Sequence, residues 1–231
     1  STDFNVVIED NEIYSNGYVW RYNYNGIYYK DEVYVYYTNL TYDLDLSIYN
    51  NTISSTNQIR EAIYVSTYME DLDETYLLYD ITTTRDISWN SIYIEDDNDG
   101  GYDYGIYLYD YINPYYGSVW WNDVTAIHNN SLKWAQNSRY NYGIYWESMV
   151  YYNDDYADYP IMLNMDHQID DNIIEYYATA NYNYNGIYYY VDYESWYTNI
   201  STFHRLSIDR NIIYSEHRLS TGIECVVYLA Y

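Results

Sequence analysis

The sequence predicts an all-β protein, specifically an antiparallel β-sandwich or jelly roll. Three observations carry that expectation. Apolar and polar residues alternate with period 2 along nearly every segment, turn residues divide the segments at short intervals, and no stretch keeps a helical period beyond about two turns.

In chain order, "DFNVVIED" within residues 1–13 reads as a strand, either of the chain's own sheet or as an N-terminal arm exchanged with a neighbouring subunit. "LTYDLDLSI" sets Leu40, Tyr42, Leu44, Leu46 and Ile48 on one face. "IYVSTYM" does the same for Ile63, Val65 and Met69, and "GIECVVYL" for Ile223, Cys225, Val227 and Leu229. Turn signals fall at Ser15-Asn16-Gly17, Asn25-Gly26, Asp97 to Gly101, Asn185-Gly186 and Thr221-Gly222. "YNYNGIYY" occurs at Tyr22–Tyr29 and Tyr182–Tyr189, with looser copies "YDYGIY" and "YNYGIY" between them. Their glycines, Gly26, Gly105, Gly143 and Gly186, lie 79, 38 and 43 residues apart. That spacing is too uneven for the fixed period of a propeller or solenoid, and the motif reads as a reused strand and hairpin turn. With no linker or composition shift, residues 1–231 form one domain.

Composition narrows the function classes. The 231 residues include 42 Tyr but only two Phe, and Lys only at Lys30 and Lys133. The net charge of −26 is spread along the chain, which disfavours nucleic acid and anionic lipid as partners. No apolar run approaches the length of a membrane span, and none reads as a secretory leader. Phenols and amides keep their hydrogen-bonding character over most of the pH scale, which suits an extracellular or cell-surface setting. Cys225 is the single cysteine, so no internal disulfide forms, and its strand context predicts a small buried apolar residue. Four Asn-x-Ser/Thr sites, at Asn39, Asn50, Asn129 and Asn199, are glycan candidates in a secreted protein.

The second half contains "NNSLKWAQ", "YNYGIYWESMVYY", "YPIMLNMD", "DDNIIEYYATA" and "FHRLSIDRNIIY" in that order. Over residues 116–215 this order resembles the concanavalin A-like lectin/glucanase fold and, within it, the laminarinase-type glycoside hydrolases. The matching residues are Tyr142-Gly143, Trp146-Glu147, Tyr159 to Leu163 and Phe203 to Ile208. The family's catalytic strand carries E-x-D-x-x-E, whereas this chain has "QIDDNIIEYY", with Gln168 where the nucleophilic Glu belongs. An amide cannot act as that nucleophile. The resemblance therefore implies a sandwich without the chemistry. Were the chain a hydrolase, Asp171 and Glu175 would be its carboxyl pair.

Other constellations are weaker. Glu95, Asp97 and Asp99 alternate before Gly100 as in the front of a calcium loop, but the closing Glu of an EF-hand would fall at Ile106. A solvated acidic turn or a calcium site of another kind fits. His128, His167, His204 and His217 have no ligand spacing and read as structural. Most tyrosines must pack on pleated surfaces, although exposed rows can also stack on sugar rings. The sequence thus points to a non-catalytic structural protein, a subunit that assembles with itself into a surface filament or layer. The alternative is a carbohydrate-binding module or degenerate glucanase with glycan partners.

Overall fold

A computed structural model describes residues 1–15, 25–56, 59–71, 77–95, 102–114, 117–135, 140–152, 160–177, 183–195, 200–216 and 219–230. Eighteen strands wind into a parallel β-solenoid with three sheets of six strands. Each rung gives one strand to each sheet. The first rung holds β1 (Thr2–Glu9), β2 (Glu12–Ser15) and β3 (Asn25–Val35), and the second holds β4 (Leu40–Tyr49), β5 (Thr52–Ser55) and β6 (Glu61–Asp71). The third holds β7 (Leu77–Ser88), β8 (Ser91–Ile94) and β9 (Tyr102–Asn113), and the fourth β10 (Gly117–His128), β11 (Ser131–Trp134) and β12 (Tyr140–Tyr152). The fifth is β13 (Ile161–Asp170), β14 (Ile173–Tyr176) and β15 (Asn183–Ser195), and the sixth β16 (Ile200–Asp209), β17 (Ile212–Ser215) and β18 (Thr221–Ala230). Sheet A stacks β1, β4, β7, β10, β13 and β16, sheet B the short strands, and sheet C the strands from β3 to β18.

The core is built from columns of like residues. Ile8, Ile48, Ile87, Ile127, Ile169 and Ile208 stand in register through sheet A. Ile27, Ile63, Ile106, Ile144, Ile187 and Ile223 do so through sheet C. Sheet B contributes Ile13, Ile53, Ile92, Leu132, Ile174 and Ile213. A one-residue slip in any strand would move its apolar set to the solvent face, so these columns fix the register.

At the corner between sheets A and B the chain turns through one left-handed residue per rung: Asp10, Asn50, Trp89, Asn129, Asp171 and Arg210, with φ between 52° and 58°. An asparagine follows each one, and these asparagines form a ladder. The Asn90 backbone N–H and side-chain amide both donate to Asn130 Oδ1 at 3.0 Å, and Asn130 donates in the same way to Asn172. The same pattern links Asn11 to Asn51, Asn51 to Asn90 and Asn172 to Asn211. The second amide proton of Asn51, Asn90, Asn130 and Asn172 goes to a strand-end carbonyl, Ile87 O in the case of Asn130. Every step thus satisfies a backbone donor at a turn that would otherwise be buried and unpaired.

This architecture overturns the antiparallel sandwich and, with it, the concanavalin A-like and laminarinase-type resemblance, because every strand pair is parallel. Period-2 alternation reports which face of a strand is buried and is silent on pairing sense, so the faces are as expected and the topology is not. β4 buries Leu40, Tyr42, Leu44, Leu46 and Ile48, as the alternation implied. Gly26, Gly186 and Gly222 lie within β3, β15 and β18 rather than in hairpin turns. They share one column with Ala62, Gly105 and Gly143, so the 79-residue interval holds two rungs. A Cβ on Gly143 would sit 2.6 Å from Gly186 O and 2.7 Å from Ile174 Cδ1, which explains the near-constant glycine there. Residues 2–9 of the proposed arm form β1, paired in register with β4 of the same chain.

Replacing Asn130 by Ala strips two donors of Asn90 and the carbonyl of Ile87 of their partner. Each buried unpaired group costs about 1–3 kcal/mol, so the unfolding free energy falls by about 2–5 kcal/mol. Urea denaturation should show a lower midpoint at unchanged slope for Asn130→Ala, and a smaller loss for Asn211→Ala on the partly exposed last rung.

Candidate functional site

A buried arginine, two buried aspartates and a buried histidine meet inside the solenoid. The inward positions of sheet A are apolar in the second rung (Leu44, Leu46) but polar in the next two: Thr83 and Arg85, then Asp123 and Thr125. Asp110 faces them from β9. Arg85 grips Asp110 with both Nη atoms, at 2.6 and 2.9 Å, and donates to Asp123 at 2.7 Å and to Thr125 Oγ1 at 2.9 Å. Asp123 also accepts from the hydroxyls of Thr83 and Thr125. Its Oδ2 lies 2.9 Å from His167 Nε2. His167 Nδ1 meets the Tyr189 hydroxyl at 2.5 Å, and that hydroxyl meets His204 Nε2 at 2.6 Å.

Arg85, Asp110, Asp123 and His167 expose none of their side chains. Burial pushes the Asp110 carboxyl up, against the pull of Arg85. Burial also acts to raise Asp123, but Arg85 and His167 together outweigh it and hold that carboxyl well below the usual range. His204, at the open end of the chain of contacts, is lowered to about 4 by burial and by the neighbouring His167, with Asp123 opposing. Opposite charges therefore meet inside the cluster, which ties β7, β9, β10, β13 and β15 to one another. Removing one partner from such a buried pair generally costs about 3–5 kcal/mol.

Compared with family models, curated proteins and solved structures, the chain matches none.

Sheet C turns an aromatic face to solvent. Tyr28, Tyr64, Tyr107, Tyr145 and Tyr188 meet from rung to rung at centroid separations of 4.9, 5.4, 5.0 and 4.8 Å, the outer two contacts stacked and the middle two edge to face. Several phenols donate to a carboxylate two residues on along the same face, as in Tyr68 to Glu70 at 2.8 Å and Tyr190 to Asp192 at 3.0 Å. Burial, helped by those carboxylates, pushes Tyr190 up to about 12. Sheet A carries a shallow groove of about 420 Å³ running across the rungs. Trp120, Met162 and Phe203 wall it, each about half exposed or more. Asn122 and Asn164 join at 2.6 Å on its floor, beside Asp80.

The residues singled out in the sequence are dispersed. Asp171 is the left-handed corner residue of the fifth rung, held by Arg210 through two 2.7 Å contacts, and Arg210 lowers its pKa. Glu175 sits on β14, where it accepts from Tyr177 at 3.0 Å. Glu95 follows β8, and its backbone N–H donates to Ser55 O, while Asp97 and Asp99 lie outside the described residues. Among the described residues no group of three His, Cys, Asp or Glu is placed to hold a metal ion. Of the glycan candidates, Asn50 and Asn129 are corner residues, Asn39 accepts from the Leu78 N–H, and Asn199 lies outside the described residues. Cys225, expected in the core, is exposed on the last rung. The buried cluster itself was missed, although Thr83, Arg85, Asp123 and His167 all fall on the inward phase of otherwise apolar strands.

Between pH 6.5 and about 4 the unfolded chain, with an ordinary imidazole, binds more protons than the fold, which keeps His204 neutral. Stability therefore rises with pH across that window and is lost on acidification, and depressed Asp123 acts in the same direction. His204→Gln should flatten the dependence of the urea midpoint on pH in this window. An unchanged slope would show that His204 titrates normally.

Proposed function

We propose that this chain is a non-catalytic structural protein, a rigid subunit that assembles with itself into a filament or layer at or outside the cell surface. One observation supports the reading most: the chain's strongest polar chemistry is directed at neighbouring rungs rather than at a cavity. The asparagine ladder and the Arg85 cluster saturate themselves within the core. Among the described residues no helix is long and apolar enough to cross a membrane. Static light scattering on the 231-residue chain, from low to high micromolar concentration and from low to high salt, tests the proposal. Mass growth with concentration is expected, strengthened by salt that screens the −26 charge. A constant monomer mass under all conditions would refute it.

A second reading, a carbohydrate-binding module carried on the solenoid, draws on the sheet A groove. Exposed Trp120 and Phe203 offer ring faces to sugar C–H groups, and Asn122 and Asn164 offer amides to hydroxyls. The acidic surface favours neutral over anionic glycans. A glycan array should then show binding that drops at least tenfold in Trp120→Ala; equal signals from both proteins would discard this reading.

A further inference from the structure

The two ends of the solenoid differ in a way that makes them fit each other. The inward side chains of the sixth rung are open to solvent: Ile223 is 50% and Val227 51% exposed, while their counterparts one rung below, Ile187 and Val191, are at 0%. Among the described residues nothing packs above them. At the opposite end Val6, Ile8 and Ile13 are only partly covered. Continued by one step, the columns would set Leu206 over Val6, Ile208 over Ile8, Ile213 over Ile13 and Ile223 over Ile27 of another molecule. The three isoleucine pairings repeat the aliphatic matching of the internal steps, while Leu206 over Val6 joins the two apolar ends of a column whose middle rungs carry Arg85, Thr125 and His167.

The polar groups share this direction. Each ladder asparagine donates, through its backbone N–H and its side chain, to the Oδ1 of the next rung's asparagine. At the last rung no acceptor meets the Asn211 N–H among the described residues. At the first rung, among the described residues, no donor meets Asn11 Oδ1. One end therefore lacks an acceptor and the other lacks a donor. The corner column runs from Asp10 to Arg210, which pairs with Asp170 and Asp171 below it and with Asp209 beside it; its side chain is 58% exposed, and a further step would bring Asp10 alongside it. Formal charge follows the same axis: residues 1–35 hold six acids against two bases, and residues 200–230 hold three of each. Two pairings are unfavourable, Val227 over Asp31 and Asp209 over Glu9; the Asp31 carboxylate is already taken by Tyr29 and Tyr42, and the Asp209 carboxylate by Arg210.

We propose that the sixth rung of the 231-residue chain accepts the first rung of a second copy, seated in register, so that copies stack head to tail along the solenoid axis. The proposal rests on the self-assembly reading above and names its surface. A head-to-tail contact does not close on itself, so it yields filaments one solenoid wide with a repeat of about 4.8 Å along the axis. Head-to-head pairing would break the parallel ladder and oppose like ends.

Cys225, the only cysteine, lies on the sixth rung's open face and serves as the probe. In stacked copies it would lie over Tyr29 of the next molecule. The experiment follows maleimide modification of Cys225 together with particle mass and electron microscopy, for the native chain and for Ile223→Lys. The expected result is at least tenfold slower modification as filaments grow with concentration. Ile223→Lys should remain monomeric, reactive and folded by circular dichroism. Filaments whose Cys225 stays as reactive as in dilute protein, or that still form in Ile223→Lys, would overturn stacking while leaving self-assembly intact. Protection that stops at a dimer would show pairing of two sixth rungs and overturn it as well. No particles at any concentration or salt would remove both the stacking and the reading beneath it.

Discussion

The rest of the structure depends on the in-register contact between rungs, and the asparagine ladder is its most exacting part. A left-handed corner exposes a backbone N–H that no strand partner can reach. One residue type placed immediately after the corner solves this: it takes the donor of the rung before and gives its own to the rung after. Once this corner repeats, the strands on either side are committed to parallel pairing, and the isoleucine columns follow. The loops elsewhere are then free to differ in length. Copies of the glycine column therefore lie at unequal intervals, although no strand slips.

Within this frame, polar residues inside the core acquire a specific role. Arg85 and His167 share a column with Val6, Leu46 and Leu206, Asp123 one with Phe4, Leu44 and Met165, and Asp110 one with Val191 and Val227. They are satisfied only when the third, fourth and fifth rungs stand in one arrangement. Uniform columns of isoleucine would tolerate a rung exchanged for its neighbour. A unique charged cluster makes the middle rungs distinguishable, at some cost in desolvation.

Much of the local structure was legible. Alternation identified the strands and their buried faces, in "LTYDLDLSI" as in "IYVSTYM", because it reports burial directly. Pairing sense was not legible from it, since a strand with one face buried looks the same in a sandwich and in a solenoid. The decisive signal was present but lay in less conspicuous letters. "DNEI", "NNTI", "WNSI", "NNSL", "DNII" and "RNII" recur at nearly constant spacing, each giving corner residue, ladder asparagine and core aliphatic. The copies of "YNYNGIYY" are unevenly spaced because segments of different length separate the strands that carry their glycines. Two of the apparent glycosylation signals, and the apparent catalytic strand around Asp171, are this same corner read under another grammar. The buried cluster was hidden for a related reason: its members are far apart in sequence and meet only when rungs stack.

The corner also has a mechanical consequence. The covalent chain circles the axis, so along that axis the molecule is held by hydrogen bonds and side-chain packing alone. The densest contacts link neighbouring rungs, so tension applied between the chain's two ends would peel the outermost rung while leaving the next intact. Each release frees one coil of chain, and extension proceeds in equal-sized steps rather than by a single rupture. A fibre built this way would yield by lengthening before it breaks.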